Sequence, residues 1–255
     1  MAVTSRGSHD AREPSSAVGR LPTVDVARGV AIAGVVLFHL VWDLAFLGLT
    51  SSALAAHPLW LAFGRALAGT FMLLVGVSLV LAARRGLDRH AFGRRLAILA
   101  LAALAITLVT RLAFPEAFVY FGILHAIAVA SLLGVPLLRL PVTAVALVGA
   151  AMVVLGNVLS TPAFDPRWLA WIGFTAAPPL SNDFVPVFPW IGLTAFGIAL
   201  ARIGLTRGWT DALPAFDGRV GRALAVMGRW SLPIYLIHQP LLLAILVPAS
   251  RVSGG

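Results

Sequence analysis

An all-α fold that crosses a bilayer about seven times is predicted by three observations. Of the 255 residues, 60% are hydrophobic and only 11% charged. The mean hydropathy is +0.95. The apolar residues gather into runs of the length needed to cross oil, roughly 17–25 residues each. A soluble domain carries about 25% charge, so a shortage of charge together with long apolar runs points to a polytopic helical bundle in the membrane.

Residues 1–22 are polar and rich in Ser, Gly, Pro and Arg, and read as a disordered cytoplasmic arm. A single transmembrane domain is expected over 23–250. Its first apolar segment, 24–49, is longer than the 7–15 residues of a signal-peptide core and ends in no small-x-small cleavage site, so it reads as a retained span. The further spans are expected at 59–83, 95–113, 120–139, 141–159, 187–203 and 228–248. Only Arg139 and Pro141 separate the fourth from the fifth, which predicts a tight hairpin, and the sixth begins at Pro189-Trp190. The stretch 160–188 is rich in proline and aromatics and reads as an ordered lid or re-entrant loop, because flexible linkers are rarely so apolar.

All 19 basic residues are arginine and the net charge is +9. In a soluble chain, a pI near 11.7 would suggest nucleic acid. Here the arginines form short clusters between apolar spans, the pattern of membrane topology, and no nucleic-acid partner is expected. With the N-terminus in the cytoplasm, fourteen arginines fall on the cytoplasmic side and three on the far side, with Arg28 and Arg65 inside spans. Trp42, Trp60, Tyr120 and Trp190 then lie at outer span ends, as interfacial aromatics do. The chain has no cysteine, no Walker-type glycine loop and no zinc-ligand spacing on one helix; no metal is expected.

Ionisable groups inside spans are expensive and mark function. Arg28 and His39 are separated by ten residues on the first span, about three turns, so they share a face roughly 16 Å apart. Asp25 and Asp43 fall on the same stripe, at i−3 from Arg28 and i+4 from His39. A carboxylate at i+4 suits an imidazole acting as general base, by fixing its tautomer. Arg28, near the inner boundary, suits a phosphate arriving from the cytoplasm, and 16 Å is similar to the reach of a pantetheine arm. The plainer reading is a boundary salt bridge for Asp25–Arg28 and a buried pair for His39–Asp43.

The last span carries Ser231, Tyr235 and His238 on one face, with Gln239 beside them near the bilayer centre. These residues line a donor tunnel or simply bond between helices. His57, in the loop after the first span, is a rival base or an exposed loop residue. His125, Asp183 and Trp190 fall at the outer face and are placed with an acceptor; packing or anchoring explains them equally. Arg65 needs a partner, with Asp43 or lipid headgroups as candidates.

Val24-Asp25-Val26-Ala27-Arg28-Gly29, followed by Phe38-His39-Leu40 and Asp43-Leu44, resembles the opening signature of a bacterial membrane family of unknown function related to heparan-alpha-glucosaminide N-acetyltransferase. The resemblance recurs at Gly69-Thr70-Phe71, at Gly122-Ile123-Leu124-His125, across Asp183–Gly192 and across Ser231–Pro240. The spacing of Arg28 and His39 is also similar to the signature of the broader integral-membrane acyltransferases. The resemblance implies a multi-pass protein of the bacterial inner membrane. It would move an acetyl group from cytoplasmic acetyl-coenzyme A to an amine or hydroxyl of an extracytoplasmic sugar or glycolipid. The lysosomal relatives carry their histidine in the loop after the signature helix, where His57 lies, and the broader superfamily on the helix, where His39 lies. The chain is shorter than the eukaryotic enzyme, so acceptor identity does not carry over.

The expected enzyme therefore uses His39 with Asp43, or His57, as base. Arg28, Tyr235, His238 and Gln239 meet acetyl-coenzyme A, and His125, Asp183 and Trp190 meet the acceptor. Its partners are the bilayer, acyl-coenzyme A and the sugar acceptor; a homo-oligomer is left open. The competing readings are a small transporter, or a membrane scaffold that has lost catalysis.

Overall fold

The computed structural model describes residues 21–209, 216 and 218–253; the expected arm lies almost wholly outside them. The described residues are helical apart from turns, loops and two isolated bridges. The long helices are α1 (Pro22–Phe46), α3 (Pro58–Ala83), α4 (Arg89–Ala113), α8 (Val187–Thr206) and α10 (Ser231–Ser253). Each is long and apolar enough to cross a membrane. Two shorter apolar helices, α5 (Ile123–Leu137) and α6 (Val142–Val158), complete the seven segments read from the sequence. Between these lie α2 (Ser52–Ala55), α7 (Arg167–Ala170) and α9 (Arg219–Arg229).

Local chemistry sets the boundaries. Pro22 and Pro58 occupy first turns, where a missing N–H costs nothing. The Asp88 carboxylate accepts from the amides of His90 and Ala91 and starts α4 at Arg89, six residues before the expected third span. The fourth span begins later than expected, at Ile123, because residues 117–122 are a non-helical stretch tied to the loop: the Asn182 amide donates to Ala117 O and the Val185 amide to Phe121 O. The seventh starts at Ser231, three residues late, because the Arg-rich stretch before it forms α9 rather than the head of a span.

Helix α9 was not foreseen. It is amphipathic, with Arg219, Arg222 and Arg229 among small and aliphatic residues, and it packs against the first turns of α1. Contact is backbone to backbone: Gly228 lies on Asp25 O and Gly29 on Leu224 O.

The core forms where α8 inserts between α3, α5 and α6. Ile191, Ala195 and Ile198 of α8 are almost fully buried, with Met72 of α3 and Val145 of α6. Thr194 is also fully buried, and its hydroxyl donates to Met72 O (2.9 Å). A side chain at Gly76 would overlap Thr194 O, so close approach of α3 to α8 demands glycine there.

The 160–188 segment is ordered, as its composition predicted. The Val187 and Phe188 amides donate to Trp171 O and Ile172 O, and Thr161 bridges to Thr175. Asp165 gathers the loop. Its Oδ1 accepts from the Ala177 amide (2.9 Å), the Thr175 hydroxyl (2.6 Å) and the Ala176 amide (2.7 Å). These bonds, that from Ala177 foremost, hold its carboxyl below the usual carboxylate range.

Two outcomes follow from this packing. Gly76→Ala should lower stability by about 1–3 kcal/mol through overpacking, whereas Gly93→Ala, with open space around it, should be neutral or slightly stabilising; thermal unfolding in detergent separates the two. The depressed Asp165 pKa means that its capping contribution is complete above the unfolded value of 3.8 and is lost as pH falls through the lower folded value. Fluorescence of neighbouring Trp168 and Trp171 should report a loop transition only in strong acid, and Asp165→Ala should loosen the loop at all pH values.

Candidate functional site

A cavity of about 1040 Å³ runs along the inner faces of α1, α3, α4 and α5 and the start of α10. That is at the upper end of the range, roughly 300–1,000 Å³, of ligand pockets. Its α3 wall is a continuous helical stripe, Leu61, Gly64, Arg65, Ala68, Phe71, Val75, Ser78 and Ala82. Its α1 wall carries Asp25, Arg28, Ile32, Val35 and His39, the stripe expected from sequence.

One end is cationic. Arg28, Arg94, Arg95 and Arg229 all line it, with Asp25 as the acidic member. Arg28 donates to Asp25 Oδ1 (2.8 Å), the expected boundary pair, and to Ser78 Oγ (2.7 Å) on α3. Ser78 in turn donates to Leu74 O. Arg28 therefore ties α1 to α3 while leaving its guanidinium on the cavity wall.

The other end holds His39. Its Nδ1 lies 3.0 Å from Val35 O; a carbonyl only accepts, so Nδ1 carries the proton and Nε2 is left with a lone pair. Phe38 stacks on Trp60 (5.7 Å, 11°) and presses on Gly64, which sets this level of α1 against the start of α3. Asp183, Trp190 and Tyr235 line the same end of the cavity. Asp183 Oδ2 accepts from the Ile123 amide (2.9 Å), the first N–H of α5, and from the Tyr235 hydroxyl (3.2 Å). Its burial pushes its carboxyl above the usual carboxylate range. A Cβ at Gly122 would overlap Asp183 Oδ2, so glycine is required for the loop to reach the helix end. Oδ1 of Asp183 has no protein partner among the described residues.

The expected His39–Asp43 contact does not form. Asp43 is fully buried and accepts through Oδ1 from Gln239 Nε2 (2.7 Å). A backbone carbonyl, not a carboxylate, fixes the His39 tautomer, and the Asp43 carboxylate is taken up by Gln239 instead. His238 also differs from its expected place. It is buried, its ring meets that of His39 edge-on (4.8 Å), and its Nδ1 lies 2.7 Å from Tyr235 O. His238, Gln239 and Asp43 do not line the cavity; they form a polar cluster behind His39. Asp43 Oδ2, His238 Nε2 and Gln239 Oε1 find no protein partner there.

The remaining expected residues are dispersed. His57 is exposed and caps α3, its Nδ1 accepting from the Leu59 amide (3.3 Å); it is not on the cavity wall. His125 caps α5 through the Gly122 amide (3.2 Å) and lies 3.2 Å from Thr107 Oγ1, also off the cavity wall. Arg65 lines the cavity without a hydrogen bond or ion pair among the described residues, and neither Asp43 nor Asp183 pairs with it. Sequence reading missed Arg94, Arg95 and Arg229 as site residues. Their grouping in arginine clusters between apolar runs masked that they line the cavity. No group of three or more potential metal ligands occurs among the described residues.

Bundle and cavity together define a multi-pass membrane protein with an internal site, cationic at one end and histidine-bearing at the other. The chain belongs to the family described as heparan-alpha-glucosaminide N-acetyltransferase, catalytic, whose model matches residues 20–240. Membership assigns a membrane acetyltransferase activity, and the family uses acetyl-coenzyme A as donor. No curated protein and no solved structure matches the chain.

The Asp43–Gln239 bond links α1 to α10 in a buried setting, so its two partners should prove strongly coupled. Asp43→Ala and Gln239→Ala should each cost about 1–3 kcal/mol, because each strands the other's polar group. The double variant should lose clearly less than the sum, as read by unfolding of all four proteins in one detergent.

Proposed function

We propose that this protein transfers an acetyl group from coenzyme A, supplied on the Arg28 side, to an amine or hydroxyl of a glycan or sugar-lipid on the His39 side. The Arg28 side is cytoplasmic in this reading, in line with the arginine distribution. The observation that carries it is one cavity with both ends in place: four arginines at one end and an imidazole with an available Nε2 at the other. The two ends are about 16 Å apart along α1.

The donor fits that layout by its chemistry. Its phosphates are anionic and would meet Arg28, Arg94, Arg95 and Arg229, whose guanidinium forks suit phosphate oxygens. The flexible arm would run along the apolar wall of Ile32, Val35, Phe71 and Val75. The thioester would then stand beside His39.

The acceptor O–H or N–H would lose its proton to His39 Nε2 as its heteroatom attacks the carbonyl carbon. The C=O π pair moves to oxygen, giving a tetrahedral intermediate. Collapse restores the carbonyl and breaks the C–S bond, and the imidazolium returns its proton to the departing thiolate. The Nδ1–H bond to Val35 O holds the ring in the tautomer that this role needs. Asp183, through Oδ1, and Trp190 would flank the acceptor. His57, exposed and engaged in capping, is the less favourable base.

Calorimetry on purified protein tests the donor half and single-turnover transfer the chemical half. Wild type should bind acetyl-coenzyme A. Arg94→Ala and Arg28→Ala should each weaken binding about tenfold or more, the worth of a charge-assisted hydrogen bond. His39→Ala should bind normally and lose transfer by about 10²–10⁴-fold, while His57→Ala retains it. Well-folded wild type that binds no acetyl-coenzyme A would sink this reading.

A further inference from the structure

The chemistry proposed above leaves one requirement unmet: the carbonyl oxygen that becomes an oxyanion needs a donor. Arg65 has the position for it. It lies on the α3 stripe that forms the cavity wall and is exposed there, so a ligand in the cavity can reach it. Phe38 packs against Gly64 and stacks on Trp60, which puts residues 38–39 of α1 and 64–65 of α3 at one level. Helix counting agrees. His39 is seven residues from the end of α1 and Arg65 seven from the start of the antiparallel α3, each about 10 Å in.

Among the described residues, no carboxylate pairs with this guanidinium. The two carboxylates at that end are engaged elsewhere, Asp43 with Gln239 and Asp183 with Ile123 and Tyr235. Gly64 admits the Phe38 ring, and Ala68, one turn along the stripe, keeps the cavity wall low beside Arg65. A cation inside a span is costly, and one that faces a cavity marks a place where negative charge arrives or develops. The histidine opposite specifies which charge that is.

We propose that Arg65 is a catalytic residue whose guanidinium N–H groups stabilise the oxyanion formed as His39 takes the acceptor's proton; this rests on the transfer reading. The guanidinium donates hydrogen bonds and transfers no proton in the step. It meets the carbonyl oxygen more strongly once the π pair has moved there, and releases it when the C–S bond breaks and thiolate leaves. Such differential contact accelerates the step instead of tightening substrate binding.

The test uses wild type and variants in lipid nanodiscs with two probes. One is coenzyme A. The other is a trifluoromethyl ketone analogue of acetyl-coenzyme A, which adds water or a hydroxyl to form a tetrahedral species. Wild type should bind the ketone about 10²-fold or more tightly than coenzyme A. Arg65→Gln should lose most of that margin with coenzyme A affinity unchanged, and Arg65→Lys should keep part of it. An unchanged margin in Arg65→Gln overturns the proposal, and would identify Arg65 as a headgroup anchor. Equal weakening of both probes overturns it too, in favour of a donor-binding or structural cation. Wild type binding coenzyme A without preferring the ketone rules out an oxyanion site here. Wild type binding neither probe defeats the transfer reading itself, a failure distinct from the others.

Discussion

The Arg28 guanidinium, bonded at once to Asp25 on its own helix and to Ser78 on α3, is the interaction on which the rest of the site depends. A charge within a span must find partners inside the protein, and here the partners fix two helices against each other. With that level set, the helical rise dictates what else can face across the gap. Ser78 and Arg65 are thirteen residues apart on α3, about 20 Å, and the Phe38–Gly64 contact closes the far end. The cavity is the space between two fixed rungs.

Much of this was legible in the chain. Apolar run length gave the helical class, since a segment crossing oil must satisfy its own backbone; the runs fall on five helices long enough to span and two shorter ones. The stripe of Asp25, Arg28 and His39 was readable because a helix brings residues eleven apart onto one face, and all three do line the cavity. The ordered 160–188 segment was readable from its prolines and aromatics.

What escaped was set by contacts distant in sequence. Gln239 reaches Asp43 across 196 positions, and Asp183 reaches Ile123 across 60. No local pattern announces either, so Asp43 looked like a partner for the histidine one turn away. Helix α9 escaped for a different cause: its arginines, read only as a topology signal, concealed a helical period that exposes Arg229 to the cavity and lays Gly228 on α1. The arginines that read as a topology signal and those that line the cavity are the same residues.

Asp183 offers one last consequence. A single oxygen, Oδ2, takes the hydrogen of the Ile123 amide and that of the Tyr235 hydroxyl, so the 160–188 segment, the start of α5 and α10 are joined at one atom. Such a joint behaves as a three-way hinge pin: displacement of any one member is felt by the other two. Because Oδ1 stands outside the joint and Asp183 lines the cavity, that stretch of cavity wall is held in register by the pin itself.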